Sequence, residues 1–149
     1  MSQTIVYPGT FDPITFGHLD LIERAAQRFD RVIVAVGVNE VKQPLLPEAE
    51  RIAKIKEVVA PFNNVEVQSF TGLLVDFVAQ TGASLILRGL RNATDFDFEQ
   101  QLANMNRELA PVIDTIFMLP SPKYQSISST LVRAIARVGG DLSAFVPKV

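Results

Sequence analysis

The chain has no cysteine, no tryptophan and a single histidine among its 149 residues. Without cysteine there is no disulfide framework, no thiolate nucleophile and no zinc ribbon, and one imidazole cannot build a site that needs several. The lack of disulfide chemistry fits a reducing compartment. Excess positive charge is missing too: 14 Lys and Arg stand against 16 Asp and Glu, a net charge of −2. No broad positive field is therefore available to hold a nucleic-acid backbone, which argues against a nucleic-acid partner. No apolar run approaches the length of a membrane span, and the N-terminus reaches Pro8 and Gly9 without a basic stretch followed by an apolar core. The expectation is a cytoplasmic protein that engages no membrane.

What is present is the composition of a globular protein, 48% apolar and 20% charged. A chain of this length buries roughly 70% of the surface its unfolded form exposes, enough for one domain over residues 1–149. Short β-rich runs bounded by turn residues occur at Thr4 to Tyr7, Val32 to Val38, Val65 to Phe70, Leu85 to Leu87 and Thr115 to Leu119. The second reads Val-Ile-Val-Ala-Val-Gly-Val without polar alternation, as a parallel strand covered on both faces would.

Helical stripes fall between the strands. Ile22, Ala25, Ala26 and Phe29 recur at helical spacing, and Ile52, Ile55 and Val59 follow Pro47, which suits a first helical residue. Leu74, Phe77 and Val78 form a third stripe. Phe98, Leu102, Met105 and Leu109 line a fourth, whose default role is core, and this helix should stop before Pro111. A fifth begins near Ser128, and Gly139 to Val149 opens on a Gly-Gly stop with room for one short helix. Alternation of this kind predicts an α/β domain, a doubly wound, Rossmann-like, five-stranded parallel sheet flanked by helices.

Open α/β sheets bind ligands outside the carboxyl ends of their strands, so what each strand runs into carries the functional information. The first runs into Tyr7-Pro8-Gly9-Thr10-Phe11-Asp12-Pro13, after which Thr15-Phe16-Gly17-His18 opens a helix. The second leads to Asn39 and Lys42, and the fourth to Arg88-Gly89-Leu90-Arg91. The fifth is followed by Tyr124-Gln125-Ser126-Ile127-Ser128-Ser129-Thr130 at a helix start. His18, Lys42, Arg88 and Arg91 thus gather on one edge with hydroxyls and free N–H groups of two helix starts, a setting for phosphate. Neither G-x-G-x-x-G nor G-x-x-x-x-G-K-[ST] fits the first turn, and the third strand ends in Ser69-Phe70-Thr71 rather than a phosphorylatable aspartate.

Thr15-Phe16-Gly17-His18, paired with Ile127-Ser128-Ser129-Thr130-Leu131-Val132-Arg133, resembles the T/H-x-G-H and I-S-S-T-x-x-R elements of the nucleotidylyltransferase superfamily. Within it the chain is similar to the phosphopantetheine adenylyltransferase family, on three stretches. They are Tyr7 to Pro13, Leu87 to Arg91, and Asp95-Phe96-Asp97-Phe98-Glu99-Gln100-Gln101-Leu102-Ala103-Asn104-Met105-Asn106. The resemblance implies transfer of AMP from ATP to 4′-phosphopantetheine with release of pyrophosphate, in coenzyme A biosynthesis. It also implies Mg2+ accompanying the nucleotide, a cytoplasmic homohexamer, and coenzyme A binding back as a feedback ligand.

By the same resemblance His18, Lys42, Arg91 and Ser129 are the catalytic candidates. Thr10, Phe11, His18, Gly89, Leu90, Arg91, Glu99, Tyr124, Gln125, Ser126, Ile127, Ser128, Ser129 and Thr130 would hold ATP. Thr10, Lys42 and Arg88 would hold the acceptor phosphate, and Leu74, Leu102, Met105 and Asn106 the pantetheine arm. Position 98 is Phe where many relatives carry Tyr, and the chain ends at Val149 where relatives often continue, which would remove a C-terminal helix.

Taken without their neighbours, these residues have plainer readings. A lone histidine near a helix start is usually a solvated surface group. Arg88 and Arg91 could pair with Asp95 or Glu99, and Ser128, Ser129 and Thr130 could serve as helix caps, a role compatible with donating to phosphate. Two rival functions stand beside the first. One is a superfamily member with another phosphorylated acceptor, such as nicotinamide mononucleotide or glycerol 3-phosphate; the other is a non-catalytic nucleotide sensor on the same fold.

Overall fold

A computed structural model describes residues 3–38 and 43–148. Five strands, β1 Thr4–Gly9, β2 Arg31–Gly37, β3 Val65–Phe70, β4 Leu85–Gly89 and β5 Asp114–Met118, form one sheet. All pair in parallel, in the order β3-β2-β1-β4-β5. The helices are α1 Phe16–Ala26, α2 Glu48–Val59, α3 Leu74–Gln80, α4 Ala93–Leu109 and α5 Ser129–Arg137, with a 3₁₀ turn at Pro122–Tyr124.

The two-residue period of the strands sorts the core into two layers. Ile5, Tyr7, Val32, Val34, Val36 and Leu87 face Leu21, Ile22 and Ala25 of α1 and Ile55 and Val59 of α2. Val6, Ile33, Ala35 and Ile86 face Val75, Phe77 and Val78 of α3. The predicted doubly wound sheet is therefore present, and its central strands are buried on both sides. Truncating a fully buried side chain such as Ile33 to alanine would cost about 2–5 kcal/mol.

Several boundaries differ from the sequence reading. Pro8 and Gly9 extend β1, because register opposite Ala35 and Val36 outweighs their turn character. Pro47 stands just before α2 rather than inside it, with Glu48 and Glu50 in the first turn complementing the helix dipole. The stop before Pro111 is observed: α4 ends at Leu109.

The α4 stripe overturns its expectation as core. Phe98, Met105 and Leu109 are 63%, 65% and 59% exposed, and the one buried residue of the helix is Glu99. Helical spacing identifies an apolar face, but among the described residues no element buries its Phe98, Met105 and Leu109 side chains. The tail likewise forms turns rather than the expected short helix among the described residues. Gly139, with φ of 78°, ends α5, and the Phe145 carbonyl accepts the Phe16 N–H at 2.8 Å, so the tail closes on the start of α1. No helix among the described residues is long and apolar enough to cross a membrane.

Candidate active site

The chain winds from β1 to β2 on one side and from β4 to β5 on the other, so a crevice opens between the carboxyl ends of β1 and β4. A cavity of about 300 Å³ occupies it. Its wall includes the end of β1, the first turn of α1, the end of β4 with Leu90 and Arg91, Pro120, Tyr124, and the start of α5.

Beyond β1 the chain turns sharply. Phe11 has φ of 49°, a left-handed conformation that costs a side-chain-bearing residue, and a cis Asp12–Pro13 peptide follows. The Phe11 ring is buried edge-on to Tyr7 and His18, with centroids 5.4 and 4.9 Å away. Gly9 makes room for it: a Cβ there would sit 3.0 Å from the Phe11 ring. Burial also raises the Tyr7 phenol well above its usual pKa, leaving a neutral hydroxyl.

Thr15 caps α1 and fixes the histidine. Its hydroxyl accepts the His18 N–H at 3.3 Å, and its own backbone N–H donates to His18 Nδ1 at 3.0 Å, a reciprocal capping box. A nitrogen that accepts carries no proton, so the imidazole proton lies on Nε2. Burial pushes the imidazole pKa down to about 4, and the positive charges of Arg88, Arg133 and Arg91 act in the same direction. At neutral pH His18 is a neutral ring with one N–H to donate.

Arg88 and Arg91 pair with acidic residues and line the cavity as well. Arg88 donates from Nε and Nη2 to the two Glu99 carboxylate oxygens at 2.7 and 2.6 Å, and from Nη1 to the Pro8 carbonyl at 3.2 Å. The Arg91 backbone N–H donates to Asp95 at 2.8 Å, while the Gln125 amide donates to the Arg91 carbonyl at 3.0 Å. Asp95 in turn is held by the α4 cap, its N–H donating to the Asn92 side chain. At α5 the Ser128 hydroxyl accepts from the Leu131 N–H at 3.4 Å, so capping and cavity lining coincide. Tyr124 stacks on Phe16 at 5.9 Å.

Asp20 ties the segment after β5 to α1. Burial raises its pKa, but hydrogen bonds from the Ser121 backbone and hydroxyl and from Arg24 outweigh this and hold the carboxyl below its usual range. Arg24 also donates to the Leu119 carbonyl at 2.7 Å.

Of the residues singled out from the sequence, Thr10, Phe11, His18, Arg88, Gly89, Leu90, Arg91, Tyr124, Ile127, Ser128, Ser129 and Thr130 meet at this cavity. Glu99 reaches it through Arg88. Gln125 and Ser126 lie beside the lining segment without forming the wall, and Leu74, Leu102, Met105 and Asn106 are not part of it. Lys42 lies outside the described residues. Sequence reasoning missed Leu21 and Pro120 as wall residues, and it quoted Tyr7, Pro8, Gly9, Thr15 and Gly17 within the motifs without assigning them to the site, although all five stand on the wall. It also missed buried Asp12 and Arg51, whose partners lie too far along the chain to be read locally.

This arrangement can bind a polyanion. Two helix starts, two guanidinium groups and a neutral imidazole donor converge, and no carboxylate stands on the wall among the described residues. Nor do those residues gather three His, Asp or Glu side chains able to hold a metal ion.

Comparison with known proteins gives the class first: the cytidylyltransferase-like family profile matches residues 6–135. A crystal structure of a protein from Vibrio parahaemolyticus shares the fold. Its TM-score is 0.70 at 19% identity, covering 99% of this chain and 88% of that one. A phosphopantetheine adenylyltransferase of Methylococcus capsulatus is 54% identical over 147 residues, 99% of this chain and 91% of that protein. Another from Clostridium perfringens is 54% identical over 143 residues, 96% of this chain and 87% of that protein. The chain belongs to the cytidylyltransferase-like family and, within it, to the phosphopantetheine adenylyltransferases.

Proposed function

We propose that the protein transfers AMP from MgATP to 4′-phosphopantetheine, giving dephospho-coenzyme A and pyrophosphate. An acceptor phosphate oxygen bonds to the α-phosphorus while the bond from that phosphorus to the bridging oxygen breaks, and pyrophosphate leaves with the electron pair. The attacking oxygen is already anionic, so neither a covalent intermediate nor a strong base is needed. What the chain must supply is alignment and stabilisation of negative charge.

The carrying observation is the convergence of His18, Arg88, Arg91 and the first turns of α1 and α5 on one cavity at the β1/β4 crevice. His18 Nε2–H donates to an α-phosphoryl oxygen, where the charge builds. Arg91 and the Ser129 and Thr130 region hold the leaving pyrophosphate, and Gly89 and Leu90 lie against the nucleotide. Thr10, Arg88 and Lys42 take the acceptor phosphate, and Leu74, Leu102, Met105 and Asn106 its pantetheine arm. ATP would bring magnesium on its own phosphates, a reading that suits a wall on which no carboxylate stands among the described residues.

The working unit is a homohexamer in the cytoplasm, with coenzyme A binding back at the acceptor side. The exposed apolar residues of α4 support assembly, since such a face is normally covered. The test is pyrophosphate release by purified protein with ATP, magnesium and 4′-phosphopantetheine, nicotinamide mononucleotide or glycerol 3-phosphate. Turnover with 4′-phosphopantetheine alone is expected. Turnover with another acceptor would change the substrate, and turnover with none would leave a nucleotide sensor.

A further inference from the structure

Arg51 lies on α2, outside the cavity wall, and is 3% exposed. Among the described residues no carboxylate stands within ion-pair distance of it. Its donors go instead to three carbonyls from three segments: Thr10 at 2.8 Å, Leu46 at 3.2 Å and Gly37 at 3.4 Å. Asp12, 1% exposed, reinforces the same junction by accepting the Leu45 and Leu46 N–H groups at 2.7 and 2.8 Å. Burying a guanidinium against carbonyls is costly, and hydrophobic packing would serve stability equally well.

The segment it grips is the strained one. Thr10 precedes Phe11, whose left-handed backbone must be imposed by its surroundings, and the Phe11 ring packs on His18 at 4.9 Å. The planar fork reaches these carbonyls from two separate nitrogens, Nε and Nη1, a placement that the single nitrogen of a lysine ammonium does not reproduce.

We infer that Arg51 is a positioning residue for the transfer: it locks the Thr10–Phe11 turn and so sets Thr10 and His18 against the reacting phosphates. The inference rests on the adenylyl-transfer reading. Small displacements of aligned groups cost rate steeply, so Arg51→Lys lowers kcat by about 10- to 100-fold. ATP binds the variant at the wild-type stoichiometry, because the fold and the rest of the wall, from Arg88 to Arg91 and at the start of α5, do not depend on Arg51.

The experiment combines steady-state kinetics with 4′-phosphopantetheine, calorimetric titration with ATP, and nitrogen-15 NMR of the single histidine. The His18 ring signal should move in the variant, since it senses Phe11. Wild-type kcat with unmoved histidine signals would overturn the inference, as would a fall in ATP stoichiometry matching the fall in kcat, which marks mere misfolding. Should Arg51→Lys not fold, Asp12→Asn carries the test with the same expected kinetic and NMR changes, and normal values there refute it. An inactive wild-type protein would instead refute the functional reading, a separate outcome.

Discussion

His18 can be tested by acid. The structure holds its ring neutral, with the proton on Nε2 and a pKa lowered from 6.5 to about 4. In the unfolded chain the ring titrates at its ordinary value. Below about pH 6.5 the unfolded chain therefore binds a proton that the folded protein refuses, and stability falls until the folded ring titrates near pH 4. Above pH 6.5 this group contributes no slope. The full loss corresponds to about 3 kcal/mol.

Urea unfolding at a series of pH values measures the loss, and His18→Gln isolates it, because the chain has one histidine. Glutamine suits the third position of a capping box, so the variant keeps the start of α1 while removing the titration. The difference between the two stability curves should be flat above about pH 6.5 and close by about 3 kcal/mol towards pH 4. Nitrogen-15 shifts of the imidazole should report the Nε2–H tautomer at neutral pH and give way to the doubly protonated ring only near pH 4. A titration midpoint near 6.5, or a proton on Nδ1, would refute the assignment of a neutral donor.

Three other perturbations follow from the same geometry. His18→Ala should lower kcat by roughly two to three decades with little change in ATP affinity by calorimetry, since the lost donor acts on charge that develops in the transition state. Arg88→Met leaves Glu99 buried without its partner and should destabilise the protein by about 3 kcal/mol in urea unfolding; Arg88→Met with Glu99→Leu should recover most of that. Gly17→Ala adds a methyl with ordinary contacts, 3.5 Å from the Thr15 hydroxyl. The Tm should therefore stay or rise slightly, while ATP affinity drops by about tenfold as the methyl intrudes on the cavity wall.

Much of this protein was legible along the chain. Buried parallel strands read as continuous β-branched runs and helices as periodic stripes, so five strands and five helices emerged in the right order. The helix starts at Thr15 and Ser128 were legible from neighbours a few residues away, whereas His18 and the Ser128 to Arg133 stretch stood out as functional through their resemblance to known motifs. The plain and functional readings of Arg88, Arg91 and Ser128 proved compatible, since each has a structural partner and also lines the cavity.

Other features depend on distance in sequence. Arg51 meets Thr10 across 41 positions and Arg88 meets Pro8 across 80, contacts that only the winding order of the sheet brings about. The histidine's tautomer followed from one backbone N–H, and its lowered pKa from enclosure by elements the sequence does not set side by side. Periodicity likewise defined the apolar face of α4 but not what would cover it. Short-range pattern records what each segment prefers to bury; which groups are enclosed, charged or left facing outward is settled only when distant segments pack.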